Sequence, residues 1–110
     1  MILVMGSESK KMSETFVAHQ LASSKVVIFS KSYCPYCKAA KANLDSNLIP
    51  FLAIELDQIP NGKEVQSYLG EITGLKTVPN IFINKKHFGD DGDLEEGLLD
   101  DRVATLISAA

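Results

Sequence analysis

Cys34 and Cys37 are the only cysteines in this 110-residue chain, and they stand three positions apart. A disulfide needs Cα atoms about 4.4–6.8 Å apart. Residues at i and i+3 on a helix lie about 5–6 Å apart, so a bond between these two sulfurs can form and break with little backbone motion. Such a bond closes almost no loop and would add little as a structural staple. The pair therefore reads as chemical, and two cysteines used this way point to a reducing compartment.

Position separates their roles. Pro35 fits the first turn of a helix, where its missing N–H is no loss. That places Cys34 at the helix start, where unpaired N–H groups and the positive dipole end favour an anion. Lys31, three residues earlier, adds positive charge. Both effects raise the thiolate fraction of Cys34 at neutral pH and make it the attacking sulfur. Cys37, one turn further in, is expected to be more buried and to resolve. The same stabilisation makes Cys34 a good leaving group in the second exchange.

Metal readings fail on ligand count. A closed zinc site needs four ligands, and the remaining soft candidates, His19 and His87, lack finger spacing to the cysteines. The acidic run from Asp90 to Asp101 misses the glycine that a calcium loop of the EF-hand type needs at its sixth position. It reads instead as a solvated helix start. No metal is expected.

The elements that must position the pair follow from pattern. Ser13 can cap a first helix whose face carries Met12, Phe16, Val17 and Leu21. Val26-Val27-Ile28-Phe29 is an apolar, β-rich run of the kind buried on both faces of a sheet. A turn from Ser30 to Tyr33 leads into the second helix, which continues to about Asn47. Phe51 to Leu56 reads as a strand, and Pro60-Asn61-Gly62 break the chain. Val65, Leu69 and Ile72 mark a third helix, ended by Gly74. Ile81-Phe82-Ile83 and His87-Phe88 are strands joined by a turn at Asn84-Lys85. From Leu94 onward the chain is helical, with Leu99, Val103, Leu106 and Ile107 on one face. The central strand–helix–strand unit implies parallel strands with a right-handed crossover, and the later hairpin adds an antiparallel pair. The expectation is an α/β fold in which helices flank a four-stranded mixed sheet.

The length suits one domain. With 11 basic and 14 acidic residues the net charge is -3, which offers no basic face for a nucleic-acid backbone. The longest apolar runs fall far short of the roughly 18 residues of a membrane span. Residues 1–12 carry their apolar residues before Lys10 and Lys11, the wrong order for a secretory signal. We read them as a flexible extension without an assigned role, residues 13–110 as the domain, and the location as cytoplasmic.

The stretch Lys31-Ser32-Tyr33-Cys34-Pro35-Tyr36-Cys37 resembles the active-site loop of dithiol glutaredoxins, whose hallmark is Cys-Pro-Tyr-Cys. The likeness continues at Thr73-Gly74 and through Lys76-Thr77-Val78-Pro79-Asn80-Ile81-Phe82-Ile83, and runs from about Ser13 to Leu94. It implies a thioredoxin-like three-layer fold with Cys34 as nucleophile and Cys37 as resolving thiol. It also implies a cis bond before Pro79, which would aim the Val78 backbone at the neighbourhood of Cys34, where glutathione could pair with it as a short added strand. Lys31 and Gln66 match positions that contact the glycine carboxylate of glutathione. Tyr36 matches a groove residue, and Lys76, beside Thr77, matches a position that is often basic. Where the family carries Gly-Gly-x-Asp-Asp or Gly-Gly-x-Ser-Asp for the γ-glutamyl end, this chain reads Gly89-Asp90-Asp91-Gly92-Asp93. Asp93 keeps the carboxylate and Gly92 a backbone N–H at a helix start. Asp90 is a departure that adds bulk and negative charge.

The resemblance thus implies a monomeric glutathione-dependent oxidoreductase acting on protein disulfides and protein–glutathione mixed disulfides. Glutathione would be its reducing cosubstrate, with no tightly bound cofactor. An alternative is a dimer that binds a glutathione-ligated iron–sulfur cluster through Cys34 of each chain, for which Pro35 is unfavourable. A second alternative is a thioredoxin-type enzyme reduced by a flavoprotein, against which Lys31, Gln66 and the Asp93 turn speak.

Overall fold

The computed structural model describes the backbone of residues 2–109 and the side chains of residues 8–109. The central strand explains the rest. Strand β1 (Val26–Ser30) is buried at all five positions. Side chains alternate along a strand, so its residues divide between two faces. Val27 and Phe29 join Val17, Ile54, Leu56, Val65, Leu69 and Phe82 in one core. Val26 and Ile28 join Ala40, Leu44, Ile81, Ile83, Leu94 and Val103 in the other. The apolar run is continuous because helices cover both faces.

Strand β1 pairs in parallel with β2 (Leu52–Glu55) and antiparallel with β3 (Asn80–Ile83). Strand β4 (Lys86–Gly89) closes the hairpin with β3, giving the order β2-β1-β3-β4. Asn84 and Lys85, at the hairpin turn, both adopt positive φ (52° and 67°), as a two-residue turn of this kind requires. Helices α1 (Ile2–Ser23) and α3 (Gly62–Thr73) pack together over one face. Helices α2 (Pro35–Ser46), α4 (Asp91–Leu99) and α5 (Arg102–Ser108) cover the other. This is the three-layer mixed-sheet architecture expected of a thioredoxin-like fold. Gly74 ends α3 in the left-handed conformation (φ 81°), with its N–H bonded to the Gly70 carbonyl at 2.9 Å.

Three local expectations are corrected. Ser13 does not cap α1. The helix runs through residues 2–12 without a break, so Ser13 has no free helix start to cap, and it is buried on the side that faces α3. Lys10, on the same helix, pairs with Glu71 of α3 at 3.1 Å. Met12 and Ile72, read as core-facing, are exposed. The C-terminal segment is two helices rather than one. Asp101 takes a left-handed conformation (φ 69°), and the Asp100 carboxylate accepts the N–H of Arg102 at 3.1 Å. The break turns Leu99 to solvent at 82% exposure while Val103 stays buried.

Candidate active site

The end of β1 delivers the chain into a tight turn in which the Cys34 N–H donates to the Lys31 carbonyl at 3.0 Å. Cys34 itself has extended backbone (φ -83°, ψ 119°) and caps α2, and Pro35 occupies the first turn as its chemistry allows. The Cys34 sulfur accepts the N–H of Cys37 at 3.3 Å. An N–H aimed at the sulfur from the first turn of a helix favours negative charge there.

The two thiols differ in access. Cys34 is 9% exposed and Cys37 0%. Burial, and then its contact with the Cys34 sulfur, push the Cys37 thiol up to about 11 from 9.0, while donors from the Lys31 backbone and the Ser30 hydroxyl oppose the rise. Cys37 is thus held as a neutral thiol behind an accessible partner. The two sulfurs are not joined by a disulfide bond.

The Val78–Pro79 bond is cis, as the resemblance implied, and the Val78 carbonyl lies 3.9 Å from the Cys34 sulfur. Val78 is half-buried, Pro79 buried, and Lys76 and Thr77 are exposed. The loop is fastened from α3, because the Gln66 side-chain amide donates to the Lys76 carbonyl at 3.0 Å. It is fastened again beneath Pro79, where buried Asn80 donates to Thr73 Oγ1 and to the Leu75 carbonyl, both at 3.4 Å. Lys76 lies across Gly70 of α3, where an added Cβ would come within 3.1 Å of its Cγ. Lys63, Gln66 and Lys76 border one cleft.

Lys31, Tyr36, Cys34, Cys37 and Val78 are therefore gathered at one end of the sheet. Lys31 is half-buried, and Tyr36 and Tyr33 are exposed, at 65% and 66%. Gly92 and Asp93 sit on the first turn of α4, which follows the end of β4, where Gly89 pairs with Ile81, and packs against α2. Their turn is also self-satisfied. The Asp90 carboxylate accepts the N–H of Asp93 at 2.9 Å, and the Asp93 carboxylate accepts the N–H of Asp90 at 3.0 Å, a reciprocal capping box. Asp93 keeps the carboxylate that the resemblance implies, with one of its oxygens engaged by the Asp90 N–H.

One residue was missed altogether. The Asp57 carboxylate accepts both the backbone N–H of Ser32, at 2.9 Å, and the Ser32 hydroxyl. These two bonds, with Lys31 nearby, hold Asp57 below the usual carboxylate range. No motif marks Asp57, and it lies 25 residues from Ser32 along the chain. An apolar hollow along α1, lined by Met12, Phe16 and His19, stands apart from this chemistry.

A helix-capping thiol, a buried second thiol one turn on, and a cis-proline loop against the first sulfur can carry out thiol–disulfide exchange. Comparison with known proteins agrees. Residues 26–88 match the family model described as Glutaredoxin. The chain is 39% identical over 110 residues to Glutaredoxin-C4 of Arabidopsis thaliana, covering 99% of this chain and 81% of that one. It is 43% identical over 84 residues to Glutaredoxin-2 of Schizosaccharomyces pombe, covering 76% of each. Its structure superposes on that of a buckwheat glutaredoxin–glutathione complex with a TM-score of 0.88, at 35% identity over 92% of each chain. With its Cys-Pro-Tyr-Cys pair at the head of α2, the chain belongs to the glutaredoxin family of oxidoreductases.

Proposed function

We propose that this chain uses glutathione to reduce protein–glutathione mixed disulfides and protein disulfides, with Cys34 as nucleophile and Cys37 as resolving thiol. The supporting observation is the asymmetry of the pair. One sulfur caps a helix and accepts an N–H at 3.3 Å, and the other is fully buried behind it. In the one-thiol route the Cys34 thiolate attacks the glutathione sulfur of the mixed disulfide. The protein thiolate leaves and takes up a proton, and Cys34 carries glutathione. A second glutathione thiolate then attacks that sulfur, releasing oxidised glutathione and the Cys34 thiolate. In the two-thiol route Cys34 attacks a protein disulfide, Cys37, once deprotonated, closes the internal disulfide and frees the substrate as a dithiol, and two glutathione thiols then reduce the internal disulfide and leave as oxidised glutathione. Thiolate character and leaving-group quality drive each step.

Glutathione would lie against the Val78 backbone, between Tyr36 and the cis-Pro79 loop, as an added strand. Lys31, Gln66 and Lys76, with Thr77, would receive its glycine carboxylate, and Gly92 and Asp93 its γ-glutamyl end. The buckwheat structure with glutathione supports this class of ligand. The test is a glutathione-coupled assay on a small glutathione mixed disulfide. Cys34→Ser should abolish turnover and Cys37→Ser should retain it. Turnover by the Cys34→Ser variant would overturn the reading.

A further inference from the structure

Tyr33 stands at the apex of the turn that delivers the nucleophile. The Lys31 carbonyl accepts the Cys34 N–H at 3.0 Å, so Ser32 and Tyr33 are the two central residues of a β-turn. The Asp57 carboxylate holds Ser32 through its N–H, at 2.9 Å, and through its hydroxyl. The backbone is thus fixed on both sides of Tyr33. Its side chain belongs to neither core and is 66% exposed. Six large hydrophobic side chains are exposed among the described residues, and two of them, Tyr33 and Tyr36, lie within two residues of Cys34. Scattered apolar residues on a surface are ordinary, but this pair flanks the nucleophile in sequence, one on each side. Cys34 is itself 9% exposed, so a disulfide that reaches its sulfur must bring both arms down among these side chains.

We propose that Tyr33 is a specificity-determining residue, its ring packing against the polypeptide beside the glutathionylated cysteine of a substrate and favouring apolar residues there. This rests on the glutathione reading given above. In the transfer the Cys34 thiolate bonds to the glutathione sulfur, the bond from that sulfur to the polypeptide's sulfur breaks, and the polypeptide thiolate leaves and takes up a proton. The three sulfurs stand in line during the displacement. Two sulfur–sulfur spans of about 2 Å each put the leaving sulfur about 4 Å from that of Cys34. Adjacent Cα atoms are about 3.8 Å apart, so a tyrosine one residue from the nucleophile has the reach to meet the chain that carries the leaving sulfur. The Val78 backbone and Tyr36 are given to the glutathione arm in the reading above, which leaves Tyr33 to the other arm. An aromatic ring held on a fixed turn gives up little entropy on contact.

The experiment follows glutathione transfer to Cys34 in a Cys37→Ser parent by acid-quenched mass spectrometry. The donors are glutathionylated cysteine and two glutathionylated peptides, one with leucine and one with serine on both sides of the cysteine. The leucine peptide should react about three- to tenfold faster than the serine peptide, the worth of partly burying apolar side chains against one ring. Tyr33→Ala should abolish that difference, and Tyr33→Phe should keep it. Tyr33→Ala should not alter transfer from glutathionylated cysteine, nor the removal of glutathione from Cys34 by free glutathione, since no polypeptide takes part in either. Equal rates for the two peptides in the parent would overturn the proposal, and so would a leucine preference that survives Tyr33→Ala. Slowing of every donor alike by Tyr33→Ala would overturn it too, because it marks a disturbed turn. A parent that takes glutathione from none of the donors sinks the glutathione reading and this inference with it. One that takes it from all of them at the same rate sinks this inference alone.

Discussion

Asp57 clasps Ser32. The carboxylate takes both the N–H, at 2.9 Å, and the hydroxyl of a residue two positions before Cys34. Ser32 lies inside the turn that the Cys34 N–H closes on the Lys31 carbonyl. The clasp thus ties the nucleophile's turn to the single 3-10 turn Leu56–Gln58 that follows β2. The parallel pairing of Ser30 with Glu55 brings these two segments side by side.

Opening the clasp should misplace the sulfur. Small displacements of a reacting group carry large rate costs. Asp57→Ala, which removes both bonds, should slow alkylation of Cys34 by roughly three- to tenfold, Ser32→Ala, which keeps the N–H bond, should slow it less, and the double variant should be little worse than Asp57→Ala alone. Additive losses would show that the two residues act separately. The Asp57 carboxyl is held below its ordinary 3.8 by the Ser32 bonds. Its contribution is therefore fully present above that value and is lost only as the pH falls through the lower folded value. The Ser32 amide resonance, followed by NMR from pH 6 to pH 2, should titrate with a midpoint below 3.8.

Alkylation should distinguish the thiols. At pH 7 excess iodoacetamide should add one group, on Cys34, and a second only after denaturation. The Cys37 thiol is pushed up to about 11 and has no access to solvent. Its proton is held more tightly in the folded state than in the unfolded one. The reduced protein should therefore lose stability as the pH rises from 9.0 through about 11, and be indifferent to this group below 9.0. Urea midpoints across that range check the sign.

Asp90 should trade ligand affinity for helix capping. Its carboxylate occupies the Asp93 N–H at the head of α4. Asp90→Asn keeps a comparable cap while removing the charge, at a cost of about 0.3–1 kcal/mol in dipole interaction. The expected result is a small fall in Tm and a severalfold lower KM for the glutathione mixed disulfide. Asp90→Ala, which loses the cap, should cost about 1 kcal/mol. An unchanged KM in the asparagine variant would mean that this turn does not meet the γ-glutamyl end.

Gly62 should not tolerate a side chain. An added Cβ would fall 1.7 Å from the Leu56 carbonyl oxygen, a backbone atom that cannot swing aside. Gly62→Ala must displace the Leu56–Gln58 turn and with it Asp57. We expect about 1–3 kcal/mol of destabilisation in urea unfolding. Alkylation of Cys34 should slow in parallel, because the same turn carries the clasp.

Local rules made much of the site legible. The spacing of Cys34 and Cys37, Pro35 in the first helical turn, Gly74 at a left-handed helix end and Asn84-Lys85 at the hairpin turn each depend on neighbours a few residues away, so residue type was enough. The both-faces-buried β1 was legible for the same reason, as a run of β-branched and aromatic residues. What escaped was set by pairing between distant segments. Asp57 gained a role only because the parallel register of β1 and β2 carries it to Ser32. Ser13 and Leu99 went astray because helix continuity at residue 13 and the left-handed break at Asp101 decide which side faces solvent. Periodicity alone does not contain that choice. The sequence by itself determined the chemistry, two thiols with one at a helix start. The tertiary structure decided what surrounds them: a cis-proline loop against the Cys34 sulfur and a carboxylate from the neighbouring strand's end holding the turn. These are contacts across the sheet, which chain proximity cannot encode.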